Sequence, residues 1–149
     1  MTRRHAAAMA ASILLTLATG SAHADTGVGA GATPANRCGG SHCWAGVNTV
    51  NAYPLPRSGA VLVVWNCQAT STPDATLTSI TECSFGDYDA PAVTVPGGYA
   101  ATASWAIVPT PFDVEACVGG FGVFAENAVG DHVVNAAACK RIVAADLPL

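Results

Sequence analysis

Apolar and polar positions alternate in short runs along most of this chain, and no long stretch carries apolar residues at the three-and-four spacing of an amphipathic helix. Seven runs have strand character, at about 43–51, 60–69, 76–85, 92–95, 99–108, 113–125 and 132–143. The segments between them, "YPLPRSG", "STPD", "GDYDAP", "PGG", "PTPFD" and "ENAVGD", are rich in the Pro, Gly, Asn and Asp that turn dihedrals favour. This pattern predicts an all-β fold, an immunoglobulin-like antiparallel β-sandwich of about seven strands, with a small β-barrel as the alternative.

The last two runs fix their own register. Folded as a hairpin with the turn centred on Ala128, each residue i faces residue 256 minus i. Cys117 then opposes Cys139, Val123 opposes Val133, Val114 opposes Ile142, and Glu115 opposes Arg141 as a cross-strand charge pair. The even-numbered face, with Val114, Val118, Phe124, Val134, Ala138 and Ile142, is assigned to the core. Gly119 and Gly120 mark a place where a bulge would disturb this register locally.

The six cysteines admit 15 connectivities, and register selects among them. Besides Cys117 with Cys139, matching Cys67 with Cys83 puts Trp65 opposite Phe85, which reads as an aromatic lock beside a hairpin disulfide. In "CGGSHC" (38–43) the two glycines permit the tight backbone that a ring between Cys38 and Cys43 demands. Neighbour pairing of all six is the expectation.

The N-terminus supports that chemistry. "TRRHAAAMAASILLTLATGSAHAD" has a basic head, an apolar run too short to cross a bilayer, and small residues at Ala22 and Ala24, the pattern of a secretory signal peptide over residues 1–24. Export into an oxidising compartment favours disulfides over metal thiolates. Residues 25–37, "DTGVGAGATPANR", read as a flexible lead-in, and 38–149 as one sandwich domain. Two of the six basic residues and none of the ten acidic ones lie in 1–24, so the remainder carries a net charge of -6. Its cations Arg37, Arg57, Lys140 and Arg141 are scattered, which argues against nucleic acid as a partner, and nothing in the remainder argues for a membrane.

Site chemistry is sparse. Beyond residue 24 there are two histidines, His42 and His132, and no methionine, which excludes a blue-copper set and a three-histidine zinc site from one chain. Both histidines are expected to face solvent, and no metal or cofactor is expected. There is no C-x-x-C motif and no G-x-S-x-G elbow. The carboxylate pairs Asp113 with Glu115 and Asp87 with Asp89 read as solvated acids beside turns. The loop "FGDYDAP" (85–91), with Asp87, Tyr88 and Asp89, is the candidate for partner contact, and two carboxylates fall short of a calcium shell. Together these features lead to the expectation of a secreted, extracellular, non-catalytic module of inhibitor or adhesion type that meets an extracellular macromolecule through its loops. A small extracellular hydrolase, with His42 or His132 as base, is the alternative.

Overall fold

A computed structural model describes residues 33–126 and 130–147. The segment read as a signal peptide, residues 25–32 of the lead-in and the hairpin turn at Ala128 lie outside them. Nine strands follow in order: β1 (Thr33–Gly39), β2 (His42–Leu55), β3 (Ala60–Ser71), β4 (Ala75–Phe85), β5 (Tyr88–Asp89), β6 (Val93–Val95), β7 (Tyr99–Pro109), β8 (Asp113–Glu126) and β9 (Gly130–Val143), with a 3-10 turn at Ala144–Asp146. They form two antiparallel sheets packed as a sandwich, ordered β1-β2-β3-β7 and β5-β4-β8-β9, with β6 also paired to β4. The fold is immunoglobulin-like in its layering, and no barrel closes.

All seven expected strands are present, and β1 and β5 are added to them. Residues 33–37, expected in the lead-in, are strand: Thr33 and Ala35 are buried, and Thr33 Oγ1 donates to the Ala116 carbonyl at 3.3 Å. Strand β2 runs on through Pro54, inside a segment that reads as a turn. Among the described residues β1 pairs with β2 only as far as Asn48, so the second half of β2 has a described partner on the β3 side alone, and a Pro is tolerated where no ladder bond is drawn from its nitrogen.

The register of β8 with β9 is the one the cysteines imply, with Cys117 opposite Cys139 and Val123 opposite Val133 without interruption. The irregularity near Gly119 and Gly120 falls on the neighbouring strand instead. Thr81 of β4 is the extra residue between the pairs Ile80 with Gly120 and Glu82 with Gly119. Arg141 also departs from expectation: it binds Asp113, through Nε at 2.7 Å and a second contact from Nη2, rather than the directly opposed Glu115. Asp113 lies diagonally on the same strand face, within reach of a long guanidinium that closes a bidentate fork there.

All three disulfides join the expected partners. Two of them are cross-strand. Cys38 opposes Cys43 over a Gly40–Ser41 turn whose only positive φ is at Gly40, the mark of a type II′ hairpin. Cys67 and Cys83 are different: β3 and β4 belong to opposite sheets, so this bond crosses the sandwich and no hairpin exists between them. Trp65 and Phe85 do stack, centroids 5.9 Å apart, but through the core and not along a ladder.

Polar side chains also cross that core. Asn48 is fully buried on β2, and its Nδ2 donates to the carbonyls of Ser84 (3.0 Å) and Cys117 (2.9 Å), which face each other on β4 and β8. The indole N–H groups of Trp44 and Trp65 donate to Ser79 O at 3.1 Å and Cys83 O at 3.2 Å. Each such bond contributes about 0.5–1.5 kcal/mol net, and each also fixes the position of one sheet over the other.

Candidate functional site

The expected contact loop is a short hairpin. Phe85 pairs with Tyr88 across Gly86 and Asp87, Gly86 has φ 58°, and its N–H donates to Glu115 O at 2.8 Å. Tyr88 leans on buried Trp65 with ring centroids 6.3 Å apart. Asp87 and Asp89 are exposed and belong to no group of three metal-ligating side chains among the described residues. The loop offers solvated acids around one half-covered ring. Asp113 and Glu115 do not act as a pair either, since Asp113 is taken by Arg141. The Arg141 hydrogen bond and charge hold Asp113 below the usual carboxylate range, and Asp113 raises Arg141 in turn.

The two histidines are not solvent-facing tips. His42 opens β2 with a mostly covered side chain, and its ring stacks on Phe124 at 4.5 Å and 24°. His132 lies on the inward parity of β9, directly opposite Phe124, half-buried. Folding brings the two rings to 5.8 Å. The β3–β4 connection supplies a carboxylate: Thr72 N donates to Cys43 O (3.0 Å), which docks the segment beside His42 and sets Asp74 Oδ2 2.7 Å from His42 Nδ1. At 2.7 Å the two atoms are at ion-pair distance, with the ring N–H poorly aligned for a hydrogen bond. Asp74 is lowered from its ordinary pKa chiefly by a hydrogen bond from Thr72, then by its own backbone and by His42, against partial desolvation. Among the described residues no serine or threonine hydroxyl bonds to either histidine, and the Ser71 hydroxyl is buried where a side chain on Gly122 would strike it.

A polar groove of about 550 Å³ runs beside the Gly119–Gly120 stretch, with Arg37, Glu82, Phe121 and Asn135 on its walls. Glu82 lies near the sulfurs of Cys117 and Cys139, but both are consumed in their disulfide, which leaves one carboxylate.

The feature that sequence reasoning missed is the outer face of the four-stranded sheet. Register aligns Tyr53, Leu62 and Ile107 in one row across β2, β3 and β7, and Asn51, Val64 and Trp105 in the next. Trp105 is 65% exposed and Ile107 55%. With Leu55, Leu62 and Val64 they line an apolar hollow of about 430 Å³. The outward positions of these three strands carry no Asp, Glu, Lys, Arg or His from end to end. The available signal was a strand, 60–69, in which both parities are apolar at "VLVVW".

No protein-family model matches the chain, and no curated protein or solved structure matches it.

Proposed function

We propose that the chain is exported and acts as a non-catalytic binding module whose main contact surface is the outer face of the sheet containing β2, β3 and β7, and that its partner is an extracellular protein. The observation that carries this reading is the uncharged apolar hollow under Trp105 and Ile107. Contiguous exposed apolar surface of this kind mark interaction sites, and the cores of protein interfaces are enriched in aromatic residues and depleted of charge. The aliphatic side chains Leu55, Leu62, Val64 and Ile107 outnumber the single tryptophan in the hollow, which suits a partner that brings apolar side chains of its own. The amides of Asn51 and Asn66, in the same and the adjoining row, serve as a polar rim. Export is supported by the leader-like N-terminal sequence and by three disulfides. Among the described residues no serine or threonine hydroxyl bonds to His42 or His132, and the Thr72 hydroxyl engages Asp74 instead, so no specific contact favours the hydrolase alternative.

The test is capture from the native extracellular medium by the wild-type chain, by Trp105→Ala with Ile107→Glu, and by Asp87→Ala with Asp89→Ala. One stoichiometric protein, retained by the loop variant and lost by the face variant, is the expected result. Loss only in the loop variant would move the site to residues 87–89. A wild-type dimer that the face variant turns into a monomer would make a second copy the occupant and overturn the heterologous reading.

A further inference from the structure

We infer that the polar groove on the sheet containing β4, β8 and β9 is a binding site for a neutral oligosaccharide built of hexopyranose units. It belongs to the other sheet from the apolar hollow under Trp105 and Ile107, so it goes beyond the protein-binding reading and does not depend on it. Two departures from regular strand chemistry build the groove. The first is its floor, where Gly119 and Ala137 face each other while the flanking outward positions carry Phe121, Asn135 and the Cys117–Cys139 disulfide. Cys117 and Phe121 are separated by about 13 Å of strand, and the small side chains between them leave a trough wide enough for a sugar ring. The second is the bulge at Thr81. Strict alternation would turn one of Thr81 and Glu82 into the core, but both are exposed, between buried Ile80 and Cys83, so the wall gains a polar side chain. The Glu82 carboxylate hangs over the floor, since a Cβ on Gly119 would lie 3.1 Å from one of its oxygens.

The lining selects the ligand class. One guanidinium, Arg37, and one carboxylate, Glu82, balance each other in charge, which favours neither an anion nor a cation. Among the described residues ion pairs join His42 to Asp74 and Arg141 to Asp113, and none joins Arg37 to Glu82, so both keep their hydrogen-bonding capacity for a ligand. Asn135 adds an amide with two donors and an acceptor, and Thr81 a hydroxyl that can do either. A row of sugar hydroxyls, each donor and acceptor at once, matches such a mixed set, and a purely apolar ligand does not. The half-buried Phe121 ring supplies the remaining element. Its face is electron-rich, and the polarised C–H groups on the flat side of a hexopyranose ring stack on such a face. At about 550 Å³ the groove falls within the roughly 300–1,000 Å³ of small-ligand sites, and it has room for more than one sugar unit.

The experiment is a titration of the exported chain with cellotetraose, maltotetraose and mannotetraose, each up to tens of millimolar, followed by the backbone ¹⁵N and aromatic ¹³C resonances. Tetragalacturonate serves as the charged comparison. At least one neutral tetraose should bind in the millimolar range, with shifts centred on Gly119, Phe121 and Asn135. Phe121→Leu, which keeps apolar bulk but removes the ring, should weaken binding at least fivefold, and Phe121→Tyr should stay within twofold of the wild type. Glu82→Gln, Asn135→Ala and Gly119→Ala should each weaken it at least threefold, with the fold of each checked by circular dichroism. Trp105→Ala with Ile107→Glu should leave it unchanged, which keeps this site separate from the protein-binding face. No binding by any of the three neutral tetraoses, tighter binding of tetragalacturonate, shifts centred on Trp105, or a Phe121→Leu variant that binds like the wild type would overturn the site.

Discussion

Replacing Asn48 tests what aligns the two sheets. Its Nδ2 satisfies two carbonyls at once, Ser84 O and Cys117 O, from a fully buried position in the opposite sheet. Removing the amide loses two bonds of about 0.5–1.5 kcal/mol each and leaves both acceptors with poorer partners, at a cost of roughly 1–3 kcal/mol. One factor works the other way: Asn48 Oδ1 has no protein donor, so deleting the side chain also removes a poorly satisfied acceptor. The net expectation for Asn48→Ala is therefore about 1–2 kcal/mol, a fall in Tm of roughly 3–12 °C at about 3–6 °C per kcal/mol for a domain of this size. Asn48→Asp separates hydrogen bonding from packing, because it keeps the shape but aims an unpaired carboxylate at two carbonyl oxygens, which costs about 3–5 kcal/mol. The assay is urea unfolding, with Asn51→Ala on the outer face as a control that should stay within about 0.5 kcal/mol. If Asn48→Asp proves no worse than Asn48→Ala, or if Asn48→Ala costs under about 1 kcal/mol, the reasoning that the amide bridges two acceptors fails.

Two further outcomes follow from the same packing. Gly120→Ala should be severely destabilising and Gly119→Ala mild, as read by Tm of the two variants. A Cβ on Gly120 would lie 2.0 Å from Ser79 O and 2.8 Å from Trp44, whereas on Gly119 it meets Ala137 Cβ and the movable Glu82 carboxylate, both at 3.1 Å. Among the disulfides, replacing Cys38 and Cys43 together by Ser should be tolerated, since closing a ring of separation 5 removes little freedom from the unfolded chain. The corresponding changes at separations 16 and 22 should each cost about 3 kcal/mol in the chain-entropy picture, seen as a lowered urea midpoint, and equal midpoints for all three double variants would refute that ranking.

Much of this fold is legible in the sequence because antiparallel pairing is a strict arithmetic. Once Cys117 and Cys139 are matched, every pair down to Glu126 with Gly130 follows, and alternation then assigns Val118, Phe124, Val134 and Ile142 to the core, where they are buried. The same arithmetic misled at Cys67 and Cys83. Two residues that touch across a ladder and two that touch across a sandwich leave the same trace, a cysteine pair flanked by an aromatic pair, and only the strand order distinguishes them. Strand β1 was hidden for a different reason. Its small residues carry little apolar signal, and what holds it is a ladder to β2 together with Thr33 reaching the Ala116 carbonyl in the other sheet.

The candidate surfaces were less legible, and the cause is physical. A strand run such as "VLVVW" (61–65) reads as simply buried, because periodicity does not reveal whether the second apolar parity is covered by another layer. Here Val61, Val63 and Trp65 fill the core, while Leu62 and Val64 face outward beneath Trp105 and Ile107, and none of the described residues forms a layer over them. A surplus of apolar outward residues on one sheet, set against the charge kept on the other at Glu82, Asp113 and Arg141, is an asymmetry that the core does not need. Solubility alone would favour charge on both faces. Retaining an uncharged apolar surface on one side is accounted for when that side is covered by a partner.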